Sequence, residues 1–181
     1  MGITLESMAI EMPAMKGHPN RVGFRGVLTT VDVPSDRAPA GARGHRVMLT
    51  RRAAEAAIPS LLGMGLGYAP AFDRHDVRRK VGVITRAEIA GRRVEVGGYL
   101  YARDFPEIVE EIRKAGLRHQ PSTANERGTG DSLGMSYEIA DAQIEDIKAA
   151  VWVLNQVTFT GAAILRRGKA AYAGTWIELD V

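Results

Sequence analysis

Over residues 22–33 apolar and polar positions alternate and β-branched side chains recur, the pattern of a strand with one buried face. It stops at Pro34-Ser35-Asp36, and the Pro, Gly and Ala that follow as far as Gly44 predict a loop. Residues 47–49 read as a short strand, after which Thr50 caps a helix through Ala57 that stalls near Pro59 and ends by Gly63. Residues 77–89 and 92–103 form a hairpin about Ala90-Gly91. In its second arm Val94, Val96, Gly98 and Leu100 share one face. Phe105-Pro106-Glu107 opens a helix whose apolar face is Ile108, Val109, Ile112 and Ala115, and Gly116 is expected to close it. Strands are expected over residues 133–141, 150–160 and 171–179.

Strands in sequence with antiparallel neighbours and two short helices predict an α+β chain, mainly β. The expected form is a small, partly closed antiparallel β-barrel with peripheral helices. Residues 1–20 carry no sustained period and read as a flexible arm, leaving residues 21–181 as a single domain. Residues 118–132 are polar and aperiodic, so a mobile loop is expected at about 117–132. The run Gly63-Met64-Gly65-Leu66-Gly67 looks like a phosphate loop only superficially: Pro70 intervenes before any helix, and turn-forming glycines explain it.

Composition narrows the chemistry. The chain has 181 residues and no cysteine, which excludes disulfides, thiolate zinc sites and a cysteine nucleophile. No apolar run is as long as a membrane span and the start lacks a secretory pattern, so a cytoplasmic setting and no membrane partner are expected. The net charge of +3 rests on arginines scattered in pairs, at positions 51–52, 78–79, 92–93 and 166–167. Without a clustered patch or an aromatic face for stacking, nucleic acid is not an expected partner. His18, His45 and His119 have no companions at ligand spacing, so neither a metal nor another cofactor is expected.

What remains is His75, in Phe72-Asp73-Arg74-His75-Asp76, and Ser136, in Leu133-Gly134-Met135-Ser136-Tyr137-Glu138. A serine hydroxyl is a poor nucleophile until a positioned base takes its proton, and no other pair in the chain offers both parts as well. Ser132 with Lys148 is a weaker dyad, because Lys148 follows Glu145 and Asp146 on a solvated turn.

These residues, in this order, resemble the prohead proteases of tailed phages, capsid-maturation serine proteases that share a fold with herpesvirus assemblins. The resemblance runs from Val22 to about Ala163: an opening strand, His75 ahead of Val81-Gly82-Val83-Ile84, and a strand ending Leu100-Tyr101-Ala102. The helix at Phe105-Pro106-Glu107, Gly134-Met135-Ser136 on a strand, and the apolar strand at residues 152–160 follow. It implies Ser136 as nucleophile and His75 as general base of an endopeptidase working through an acyl-enzyme. The family's third catalytic carboxylate aligns with Gln156, within one residue, and Asn155 and Gln156 are both amides; Asp73, Asp76 and Asp131 are the alternatives. Arg166-Arg167-Gly168 looks like the arginine pair that assemblins place at the oxyanion.

The resemblance further implies the major capsid protein and a scaffold protein as partners and substrates, together with the chain itself, and a place in the host cytoplasm inside the procapsid. Self-association is a property of the assemblins. The amides at 155 and 156 motivate a second reading, a catalytically impaired protease fold that serves as a structural, scaffold-binding assembly factor.

Overall fold

The computed structural model describes residues 18–76, 78–117 and 132–180. The expected arm at residues 1–20 falls mostly, and the expected mobile loop almost wholly, outside them. The described chain is mainly β, a single curled half-barrel sheet with a few helices.

Its organising element is the longest strand, β7 (Val151–Arg166), whose inward residues Leu154, Val157, Phe159, Ala162 and Ile164 are buried. One edge of β7 pairs antiparallel along its length with β6 (Leu133–Ile144). The other edge takes two short parallel strands, β2 (Arg46–Leu49) near its start and β3 (Gly65–Tyr68) near its end. Between these two lie α1 (Arg51–Ala57) and a 3-10 turn (Ile58–Leu61). Thr50 caps α1 by accepting the Ala53 N–H at 3.2 Å, and Ser60 Oγ accepts the Phe159 N–H at 3.0 Å, filling the gap in the ladder. From β3 the sheet continues antiparallel through β4 (Lys80–Ala90), β5 (Arg93–Tyr101), β1 (Arg21–Thr30) and β8 (Trp176–Asp180). α2 (Pro106–Leu117) packs on β8.

The sheet curls until β6 lies against β1. A Cβ at Gly26 would sit 2.4 Å from the Trp176 carbonyl of β8 and 2.8 Å from Met135 Sδ of β6, so only a glycine fits between them. Met135, Phe24, Leu28, Ile84, Leu100 and Ile164 fill the interior, each large apolar side chain contributing about 1.5–3 kcal/mol by its burial. Burial pushes the Tyr172 phenol up to about 12 and the Tyr137 phenol further. Tyr172 Oη donates to the Val47 carbonyl at 3.2 Å, tying the loop before β8 to β2.

Four expectations change. The sheet is mixed, since β2 and β3 run parallel to β7. Gly65 to Gly67 belong to a strand: Leu66 is fully buried, and a Cβ at Gly67 would lie 3.1 Å from the carbonyls of Asp76 and Arg79, so glycine serves close approach there. β7 also runs on to Arg166, past the expected end at 160, and α2 includes Gly116.

Candidate active site

Strand alternation sets the first half of the site. Leu133 and Met135 point into the core, so Ser136 and Glu138 share the opposite face of β6. Gly134 lies on that face too, where a Cβ would meet Thr175 Oγ1 at 2.6 Å. Thr175 Oγ1 in turn accepts the Met135 N–H at 3.2 Å, which locks the strand just before the serine. Across the ladder Ser136 faces Ala163 and Glu138 faces Gly161. A Cβ on Gly161 would sit 2.5 Å from Glu138 Oε2 and 3.1 Å from its Cδ, so the glycine is what gives the carboxylate its room.

His75 arrives on the loop between β3 and β4. Phe72 turns that loop with a φ of 51°, a left-handed conformation costly for a bulky residue. Three contacts hold it there: its ring is buried 5.7 Å from the Tyr68 ring, its N–H donates to Ala69 at 2.8 Å, and its carbonyl accepts the Arg166 N–H at 2.8 Å. The chain is thereby delivered from the end of β7 toward β6, and His75 Nδ1 lies 3.0 Å from Glu138 Oε1.

A carboxylate only accepts hydrogen bonds, so the proton of the neutral imidazole resides on Nδ1 and Nε2 keeps its lone pair. That tautomer is the one a general base needs. Burial holds the His75 pKa below the ordinary histidine value of 6.5, Glu138 works against that shift, and Lys80 adds to it. The imidazole is therefore neutral and ready to accept a proton at neutral pH.

Ser136, His75 and Glu138 line one cavity of about 710 Å³. Residues 136 to 139 of β6 form part of its wall together with Trp152, Leu154 and Leu165 of β7 and Val47 of β2, so it spreads across these three neighbouring strands. Among the described strands β6 pairs with β7 alone, which leaves its other edge without a strand partner. The facing wall is the loop of residues 37–42 together with Lys169 and Ala171. An open strand edge beside a candidate nucleophile is a place where an extended chain can add its own backbone hydrogen bonds.

Of the other candidates, Asp73 lines the same cavity, while Asp76 turns to Arg79 at 3.6 Å. Asp131 lies outside the described residues. Gln156 is exposed opposite Gln143, five residues before Gly161 (161 − 156), and Asn155 bonds Glu145 at 3.5 Å. At the usual rise of a strand that is roughly 16 Å from the ladder position of Glu138. The position beside His75 is thus held by a carboxylate on β6, not by an amide on β7. Ser–x–Glu on a strand, two same-face residues beside each other, was the available signal for it.

The backbone N–H groups of Arg166 and Arg167 donate to the carbonyls of Phe72 and Ser132, at 2.8 and 2.7 Å, and Arg167 Nε donates to the Thr175 carbonyl at 3.1 Å. Burial lowers the Arg167 pKa. His45 stacks on Trp152, with ring centroids 4.5 Å apart. Ser132 and Lys148 flank opposite ends of β6, which separates that dyad. Compared with known proteins, the chain matches no protein-family model and no curated protein.

Proposed function

We propose that this protein is a serine endopeptidase of phage or prophage procapsid maturation, cleaving segments of capsid and scaffold proteins and of its own chain. The observation that carries the peptidase reading is the 3.0 Å contact of His75 with Glu138, in the same groove as Ser136. The capsid-maturation setting rests on the ordered resemblance along the sequence alone. Ser136 Oγ attacks the peptide carbonyl while His75 Nε2 takes its proton. Glu138 holds the imidazole by its Nδ1–H and stabilises the imidazolium. The imidazolium then protonates the departing amine, and a water activated by the same base releases the acyl group. The impaired-protease reading drew its motive from an amide in the third position, and Glu138 removes that motive.

The test is co-expression with a capsid or scaffold protein from the same phage, comparing wild type, Ser136→Ala and His75→Ala by intact mass. Defined fragments in wild type that vanish in both variants are expected. Fragments that persist in Ser136→Ala would refute the reading.

A further inference from the structure

Tyr137 stands between Ser136 and Glu138 on β6, and alternation turns it to the other face of the strand, the inward one it shares with Met135. Its ring meets the buried Phe159 ring edge to face at 5.5 Å. Its hydroxyl lies with those of Tyr172 and Thr29, and burial pushes both phenol pKa values up. Thr29 Oγ1 is fully buried and makes no hydrogen bond outside this trio.

A proton can be assigned to each link. The Val47 carbonyl only accepts, so Tyr172 Oη donates to it, at 3.2 Å, and keeps its lone pairs to accept with. Tyr137 therefore donates to Tyr172, and Thr29 is left to donate to the phenols. The hydroxyls run across the interior from Thr29 on β1, through Tyr137 on β6 and Tyr172, to Val47 on β2.

β6 needs such a hold at this point. Its ladder with β7 slips directly after Glu138 and again beyond Ala140, and its other edge has no strand partner among the described residues. One residue before Ser136, the Met135 N–H donates to Thr175 Oγ1 at 3.2 Å, and Thr175 Oγ1 donates to the Tyr172 carbonyl at 3.0 Å. The segment from Tyr172 to Thr175 thus grips β6 on both sides of Ser136, by a backbone group at 135 and by a hydroxyl at 137. Just before it, the Ala171 carbonyl accepts the N–H groups of Asp36 and Arg37, at 2.9 and 3.2 Å, at the root of the loop that forms the facing wall.

We propose, resting on the peptidase reading, that Tyr137 is a positioning residue of the candidate site: its hydroxyl fixes β6 from within and so sets the directions of Ser136 and Glu138 on the outer face. That hydroxyl touches no reacting atom and acts through the two neighbours of Tyr137. A misplacement of about 1 Å costs about a hundredfold in rate, so even a partial release of the strand costs about tenfold, with little effect on binding.

The experiment follows labelling of the full chain by a fluorophosphonate, as maximal rate and half-saturating concentration read by intact mass, beside the melting temperature. Ser136→Ala gives the blank. In Tyr137→Phe the maximal rate is expected to fall about tenfold or more, with the half-saturating concentration unchanged. Adding Thr29→Val removes the hydroxyl that the first change strands, and replacing both partners of a buried hydrogen bond by apolar groups restores stability. The double variant should therefore melt near wild type and stay slow.

Three results overturn the positioning role and leave the peptidase standing: Tyr137→Phe labelled as fast as wild type, a rate that recovers with the melting temperature in the double variant, or slow labelling in two variants that both melt low. Wild type labelled no faster than Ser136→Ala removes the peptidase, and the role of Tyr137 with it.

Discussion

Gly161→Ala tests the catalytic geometry more sharply than removing a catalytic residue, because it adds one methyl group and deletes nothing. The new Cβ would meet Glu138 Oε2 at 2.5 Å and Cδ at 3.1 Å, whereas the surrounding strands have no such conflict with it. A carboxylate at the end of a side chain one-third exposed yields readily, so the fold survives. What does not survive is its alignment with His75, now 3.0 Å away. Opposite charges centred about 4 Å apart attract by about 4.2 kcal/mol at an effective dielectric constant near 20; at about 6 Å the attraction falls to about 2.8 kcal/mol. The lost stabilisation of the imidazolium, about 1.4 kcal/mol, corresponds to about a tenfold fall in kcat, with misorientation of the ring added to it. Glu138→Gln, which removes the charge outright, costs about a thousandfold on the same reckoning. The assay is turnover of a cleaved peptide, or the rate at which Ser136 is acylated by a fluorophosphonate, beside the melting temperature. Because both variants act on one contact, the double variant should be no slower than Glu138→Gln alone. Losses that multiply, or a Gly161→Ala enzyme as fast as wild type, would refute the assignment of Glu138 as the group that orients His75.

The other predictions concern the same loop and its charges. Since His75 must be neutral to act as a base, kcat/KM falls as pH drops through its pKa, which lies below 6.5; Lys80→Met removes a cause of that lowering and moves the acid limb to higher pH. Glu138→Gln removes the opposing influence and moves the limb to lower pH, so the pH profiles of the two variants shift in opposite directions. Phe72→Ala destabilises by about 3 kcal/mol through the lost ring, and Phe72→Gly, free of the left-handed penalty, is about 1 kcal/mol less costly, read by urea unfolding. Tyr172→Phe costs about 1 kcal/mol, because the Val47 carbonyl it leaves still accepts the Ser35 N–H.

Much of the fold was legible because local pattern and tertiary demand agree. Alternation announced β1 and β5; Thr50 announced α1; Ala90-Gly91 announced the hairpin, where Gly91 indeed takes a φ of 59°. The failures have one cause, that pairing partners are not written locally. β3 is four residues long, and two of them are glycines that pattern assigns to a turn. It becomes a strand because β4 and β7 leave a slot that only a backbone without side chains fits on one face. Likewise β2 and β3 run parallel to β7 because α1 and the 3-10 turn carry the chain along β7 between them, a crossover that no single segment reveals.

The site divides in the same way. Ser136 and His75 were singled out as residue types in an order, but the third group was sought at Gln156 on β7, where the family resemblance placed it, with Asp73, Asp76 and Asp131 as alternatives. Glu138 was already adjacent to Ser136 on its own strand face; what sequence lacked was the opposite neighbour, Gly161, whose missing side chain lets the carboxylate lean toward His75. Gly161 and Ala163 face Glu138 and Ser136 across the ladder, and Gly134 leaves room for Thr175 Oγ1. All three positions are buried, so a large residue at Gly134 would strike Thr175 and loosen the strand along with the candidate site, whereas a methyl group at Gly161 meets the atoms of Glu138 first. Gly161 is therefore the position whose substitution should separate activity from folding.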